Sequence, residues 1–235
     1  MRRIALLLLA ALAACSVPAP TPEAPKAATT AAVPAPQSLD GAPVILAFGD
    51  SLYAGYRLAP GEGYPPQLEA ALNANGVKAR VINAGVSGDT TAAALDRLNF
   101  TLENQKVKPA LVLVGLGGND MLRGLPPKQT RANLDAILIE LDRRKIPALL
   151  TGMLAAPNMG KDYVSAFNPI YPDLARKHKA ALVPFFLQAV IGKDGLLLDD
   201  HIHPNAQGIE KIVAATRDRV VNALAAATRT QKSKS

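Results

Sequence analysis

The chain has 235 residues, 49% of them apolar, with no tryptophan, one cysteine and a formal charge of +7. Arg2, Arg3, Arg229, Lys232 and Lys234, near the two ends, carry five of those charges and leave +2 for the rest. With no basic stripe in the middle, the composition excludes a nucleic-acid surface, and a lone cysteine excludes a disulfide within the chain.

Arg2-Arg3, the apolar run Ile4 to Leu12 and the small residues after it have the form of a secretory signal over residues 1–14. The run is too short to cross a bilayer as a mature helix. Leu12-Ala13-Ala14-Cys15 also resembles the lipobox of bacterial lipoproteins. That resemblance implies cleavage before Cys15, acylation of its sulfur and a lipid anchor on the periplasmic side of a membrane. Ser16 favours the outer membrane under the same resemblance. Residues 15–42 read as a tether, since Pro18, Pro20, Pro22, Pro25, Pro34 and Pro36 recur with almost no large apolar residue. Such a segment cannot bury a core, and at about 3.1 Å per residue it reaches up to about 80 Å.

From Pro43 the texture changes. Residues 43–228 suit one domain with one largely aliphatic core, and 229–235 read as a basic, disordered tail. Val44 to Phe48 is a continuous apolar run ending in Gly49, the pattern of a strand buried on both faces. Helical spacing follows from Pro65 to Asn75, closed by Gly76. Val81-Ile82 gives a second strand and Thr90 to Asn104 a helix. Ala110 to Val114 is a third strand. Lys128 to Lys145 is a helix with Leu134, Ile137, Leu138 and Leu141 on one face. Pro147 to Thr151 is a fourth strand, followed by an irregular stretch and a helix near Tyr171 to Lys179. Ala181 to Phe185 is a fifth strand. A last helix runs from Pro204 to Ala227, with Pro204 in its first turn. Strands that alternate with helices predict a mostly parallel sheet covered on both faces. Ligands of such sheets bind beyond the C-terminal strand ends.

Four polar clusters follow strands: Gly49-Asp50-Ser51, Asn83 to Thr90, Gly115 to Asp120, and Asp199 to Pro204. Their convergence on one edge is the physical reason to read them as a site. A serine hydroxyl needs a base to take its proton and a third group to orient that base. Ser51 is the candidate nucleophile, His203 the base and Asp200 the orienter, three residues from the imidazole. His201 and Asp199 are the rivals for those two roles. His178, at an Arg/Lys-rich helix end, is expected in solvent. An oxyanion needs donors aimed at it. The N–H groups of Ser51 and Gly85 and the side-chain amide of Asn119 are the candidates. Tyr53 stands where a G-x-S-x-G elbow needs its second glycine. The glycines near Gly117 miss a dinucleotide fingerprint, and His201 with His203 are too few ligands for zinc.

Gly49-Asp50-Ser51-Leu52, the block around Gly85, Gly117-Gly118-Asn119-Asp120 and Asp200-His201-Ile202-His203-Pro204, in that order, resemble the SGNH, or GDSL, hydrolase family. The resemblance spans Pro43 to Ala227. It implies a flavodoxin-like three-layer α/β/α sandwich on a five-stranded sheet and a Ser51–His203–Asp200 triad. It also implies an oxyanion hole from Ser51, Gly85 and Asn119, with no metal or cofactor. Ser51 to Tyr56 and the Ala156-Pro157-Asn158-Met159-Gly160 loop are similar to the arylesterase, acyl-thioesterase and lysophospholipase branch. That branch implies small-molecule or lipid ester substrates; the sequence leaves the oligomeric state open, with a monomer as the expectation. Two other readings are kept. One is an O-acetylesterase of envelope carbohydrate, against which the scarcity of aromatic residues weighs. The other is a non-catalytic envelope lipoprotein, against which the complete residue set weighs.

Overall fold

The structure is a computed structural model that describes residues 40–232, with side chains as far as residue 229. The expected signal, Cys15 and most of the tether lie outside the described residues. Five strands form one sheet in the order β2-β1-β3-β4-β5, every neighbouring pair parallel. They are β1 Val44–Gly49, β2 Arg80–Gly85, β3 Leu111–Gly115, β4 Ala148–Thr151 and β5 Ala181–Val183. The sheet is thus wholly parallel. The order reverses between β1 and β3, so a crevice opens there at the C-terminal edge.

Among the described residues eight α-helices join and cover the strands: α1 Ser51–Ala54, α2 Tyr64–Ala74, α3 Thr91–Glu103, α4 Gly118–Leu122, α5 Pro127–Arg143, α6 Lys161–Phe167, α7 Ile170–His178 and α8 Ala206–Lys232. Helix α5 packs between α3 and α7, while α2 packs on α8. These two groups make the outer layers of a three-layer sandwich. Helix α5 turns Leu134, Ile137, Leu138 and Leu141 inward, all four buried, as their 3.6-residue spacing predicts. Thr90 caps α3 by accepting a hydrogen bond from the N–H of Ala93 (3.3 Å). No helix among the described residues is long and apolar enough to cross a membrane.

Central strands β1 and β3 are buried almost throughout, which explains their unbroken apolar runs. Edge strand β2 is only half covered. The core is mainly aliphatic, with aromatic clusters set into it. Tyr53, Tyr64 and Phe186 pack their rings together, centroids 4.9–5.6 Å apart, beneath the start of α1. Their hydroxyls are satisfied inside: Tyr53 with Thr151 Oγ1 and Tyr64 with Thr216 Oγ1, each at 2.9 Å.

The last helix differs from its expected bounds at both ends. Pro204 is not in the first turn: it forms an antiparallel bridge with Leu197. Asn205 takes the capping place instead, accepting from the N–H of Gly208 through Oδ1 (2.9 Å), so the helix begins at Ala206. The helix also continues to Lys232, so the basic segment expected as a disordered tail from residue 229 is helical over its first residues.

One row of the sheet decides how the polar loops leave it. Gly49 lies in register with Gly85 on one side and Gly115 on the other. A Cβ at Gly49 or Gly115 would fall within 3 Å of the Tyr53 ring, and one at Gly85 would sit 2.4 Å from the backbone nitrogen of Ala54. Helix α1 therefore rests directly on three glycines. Gly85→Ala is expected to destabilise the fold by about 1–3 kcal/mol through overpacking against an immovable backbone. Equilibrium urea unfolding checks this, and an unchanged midpoint would refute the packing role.

Candidate active site

Ser51 opens α1 immediately after β1. Asp50 precedes it as the cap, its Oδ1 accepting from the N–H of Leu52 (3.0 Å), and Gly55 ends the helix in the left-handed region. This short turn lifts Ser51 to the sheet edge. Its Oγ lies 2.8 Å from His203 Nε2. His203 Nδ1 lies 2.8 Å from Asp200 Oδ2, and Asp200 Oδ1 accepts from the backbone N–H groups of Ile202 and His203 (2.9 Å each). One carboxylate thus fixes both the loop and the ring. Asp200 is acceptor-only when ionised, so Nδ1 carries the imidazole proton and Nε2 accepts from the serine hydroxyl.

The loop that brings His203 here does not leave a strand directly. After β5 the chain makes a 3₁₀ turn at Phe186–Ala189 and then a loop. That loop is closed by the Leu197–Pro204 bridge and by the N–H of Leu198 donating to the carbonyl of His203 (2.7 Å). The rivals take other positions. Asp199 pairs with Arg57 on the surface (2.6 Å). His201 lines the same cavity as His203, but its ring makes no hydrogen bond among the described residues. The Tyr56 ring lies against the His203 imidazole, centroids 4.5 Å apart. His178 corrects an expectation: its side chain is only 5% exposed, held between Asp135 and Asp142 of α5 at 2.6 Å each, away from this site. The two carboxylates draw the ring out of solvent despite its basic neighbours.

Of the three oxyanion candidates, Ser51 and Asn119 line the cavity and Gly85 does not. Gly85 does not face the cavity with a free donor: its N–H donates to Asn83 Oδ1 (2.9 Å), and its missing Cβ makes room for α1. Gly88, which is not among those candidates, lines the cavity beside Ser51 and Asn119. It is the third residue of a turn closed by the N–H of Asp89 on the carbonyl of Val86 (3.2 Å). Its φ of 87° is the positive value that such a turn requires of glycine. The N–H groups of Gly88 and Ser51 make no hydrogen bond among the described residues. Asn119, in α4, donates one amide hydrogen to the carbonyl of Asp89 (3.0 Å), which orients the amide and leaves the other hydrogen for the cavity. The signal for Gly88 was its place one turn beyond the strand, where Gly85 still belongs to the sheet register.

Two carboxylates close to Ser51 are tuned in opposite directions. Burial raises the pKa of Asp200, but the amides of His203 and Ile202 and the imidazole outweigh it and hold it at about 2. Asp50 is buried beneath the serine, and desolvation, with Asp89 and Asp120 nearby, raises its pKa to about 7 against the pull of the Leu52 amide. The cavity itself has a volume of about 630 Å³. Its walls are mostly apolar, with Leu52, Met121, Met153, Leu154, Phe185 and Leu187 facing the polar end at Ser51. Among the described residues, no group of three or more His, Cys, Asp or Glu side chains is arranged to hold a metal ion.

Residues 47–211 match the model of the GDSL-like Lipase/Acylhydrolase family. The chain belongs to this family. It is 41% identical to "Esterase TesA" of Pseudomonas aeruginosa over 163 residues, covering 69% of this chain and 80% of that one. It is 40% identical to "Thioesterase 1/protease 1/lysophospholipase L1" of Escherichia coli over 164 residues, covering 70% and 76%. Among solved structures, AlinE4, an SGNH-hydrolase family esterase, is 58% identical with a TM-score of 0.67, covering 78% of this chain and 97% of that one. The protein is a hydrolase of the SGNH fold.

The Asp50 shift has a stability consequence with a definite sign. Its folded pKa lies above the unfolded value of 3.8, so its contribution is fully present below about pH 4 and is lost as pH rises through about 7. Asp50→Asn keeps a cap acceptor and removes that titration. Thermal melts should therefore shift in favour of the variant between pH 5 and pH 8, by up to a few kcal/mol at most. A difference from wild type that stays constant across that range would contradict the buried-acid account.

Proposed function

We propose that the protein hydrolyses carboxylic esters bearing an apolar acyl or aryl group, through a Ser51–His203–Asp200 triad and an acyl-enzyme intermediate. The observation that carries this reading is the unbroken line from Ser51 Oγ to His203 Nε2 and from His203 Nδ1 to Asp200, at 2.8 Å each. Ser51 Oγ attacks the ester carbonyl carbon while Nε2 takes its proton. The tetrahedral oxyanion is received by the N–H groups of Ser51 and Gly88 and by the Asn119 amide. The C–O bond to the leaving group then breaks, and the imidazolium gives its proton to the departing oxygen. A water molecule, deprotonated by the same imidazole, attacks the acyl carbon, releases the acid and restores Ser51. Asp200, ionised throughout, orients the ring and stabilises the imidazolium without taking its proton.

The apolar walls support acyl and aryl groups over acetylated sugars, because hydroxyls placed there would lose their hydrogen bonds to water. Aryl esters, acyl thioesters and lysophospholipids all present such a group next to a carbonyl. All the proposed catalytic groups come from one chain, so a monomer is sufficient. Purified protein is expected to release p-nitrophenol from acyl esters. Ser51→Ala should lower kcat by at least about a thousandfold, and Gly88 and Asn119 should each be required for full rate. Full activity in Ser51→Ala, or failure of a fluorophosphonate to label Ser51, would sink the triad.

The same reading places the enzyme outside the cytosol, anchored through an acylated Cys15 and held off the membrane by the proline-rich tether. Its support is the Arg2-Arg3 start, the apolar run and Cys15 directly after Leu12-Ala13-Ala14. Cells expressing the full chain should incorporate labelled palmitate into it and keep it in the membrane fraction. Cys15→Ala should lose the label and move to the soluble fraction. Equal labelling of both proteins would exclude the anchor.

A further inference from the structure

We propose that Arg123 is a positioning residue for the oxyanion hole, setting the separation between the Gly88 and Asn119 donors. The proposal rests on the reading just given. The fold has a weakness at this point. The turn Val86-Ser87-Gly88-Asp89 follows β2, an edge strand, so no neighbouring strand supports its outer side. Asn119 sits on α4, after β3, with β1 between the two. Sheet hydrogen bonds alone leave the two donors free to drift apart.

Side chains supply the missing link. Arg123 donates from a guanidinium nitrogen to the carbonyl of Gly88 (2.8 Å). Its backbone N–H donates to the carbonyl of Asn119 (3.1 Å), closing α4. The Asn119 amide donates in turn to the carbonyl of Asp89, the next residue of the turn (3.0 Å). The result is a closed ring of hydrogen bonds: Gly88 to Arg123, Arg123 to Asn119, Asn119 to Asp89, and Asp89 covalently back to Gly88. Both proposed donors are members of it. A charged guanidinium on a carbonyl makes a stronger bond than a neutral donor would.

Arg123 is otherwise hard to explain. It is exposed, it forms no ion pair among the described residues, and its one hydrogen-bonded side-chain contact there is this carbonyl. On the far side of the turn Arg97 does a different job. It pairs with Asp89 (2.6 Å), donates to the carbonyl of Gly49 (3.1 Å) and lies over the Phe48 ring. That residue is half-buried and ties α3 to the end of β1, so its loss would disturb folding and function together. Arg123 can be removed without opening the core.

The test is kinetic, on Arg123→Met and Arg123→Lys beside wild type and Ser51→Ala. A donor moved by a fraction of an ångström weakens the transition state more than the bound ester. Arg123→Met should lower kcat on a p-nitrophenyl acyl ester by about 10- to 100-fold while KM stays within about twofold. Inhibition by an alkylboronic acid, whose tetrahedral adduct puts an oxygen in the oxyanion position, should weaken by the same factor. Arg123→Lys should recover part of both losses, since it keeps a cation in reach. Should the Met variant melt early, the Lys variant assayed below its melting temperature must show the same split. A kcat within twofold of wild type, a change in KM alone, or a fallen kcat with unchanged boronate affinity would each overturn the proposal. If Ser51→Ala stays active, the triad itself has failed and this inference fails with it. If Ser51→Ala is dead while Arg123→Met is unimpaired, only the positioning role is lost.

Discussion

The row of glycines at the carboxyl ends of β2, β1 and β3 is the constraint on which the rest of the site depends. Parallel pairing puts Gly85, Gly49 and Gly115 side by side, and their missing side chains leave a flat shelf. The backbone of α1 and the Tyr53 ring settle onto that shelf. The nucleophile candidate then follows from covalent geometry. A helix that starts two residues after Gly49, capped by Asp50 in between, carries Ser51 at its first position. Tyr53 points the other way, into an aromatic cluster whose hydroxyls are already satisfied, and so locks the helix against rotation. Packing at one end of a short helix fixes chemistry at the other.

Electrostatics divides the surrounding acids by environment rather than by type. Asp200 meets two backbone amides and an imidazole, and remains ionised well below neutrality. Asp50 meets mainly burial and other acids, and resists ionisation up to about pH 7. The separation suits the proposed chemistry. A fixed negative charge lies at the far end of the imidazole, where it stabilises the imidazolium. Near neutral pH the acid beneath the serine is not fully charged, so the region where the oxyanion would form is less opposed by a neighbouring anion. Asp89, the acid closest in sequence to Gly88, is neutralised by Arg97.

Much of this architecture was legible in the residues. Central strands bury both faces, and their apolar runs announced them; α5 announced itself by its spacing. The proposed triad could be read from the residues because Ser51, Asp200 and His203 lie in short segments where few alternatives exist. The differences share a cause: residue type alone does not show which partner a residue will meet once the chain folds. Gly85 and Gly88 are both glycines after a strand, and only the sheet register shows that the first belongs under α1. His178 looked solvated because its neighbours are basic, yet Asp135 and Asp142, one helix away, enclose it. Pro204 looked like a helix start until a bridge to Leu197 claimed it. Helices α1 and α4 are too short to show a period at all.

Proton handling comes from one loop after β5, and the proposed oxyanion donors from the ends of β1, β2 and β3. Much of the apolar wall comes from other segments, the Met153–Pro157 stretch and the 3₁₀ turn near Leu187, with Leu52 of α1 and Met121 of α4 beside the polar groups. Since these parts descend from different stretches of chain, the walls can change shape while the hydrogen-bonded line stays put. Relatives named for ester, aryl ester, thioester and lysophospholipid chemistry are consistent with such a division. In the proposed reaction what a substrate must share is a carbonyl at Ser51 and an apolar group behind it. Selectivity then follows from the fit of that group to walls that offer contact but almost no hydrogen bonds, where each buried methylene contributes about 0.8 kcal/mol. In the proposed reaction, the length of that apolar group is therefore the variable such walls would discriminate.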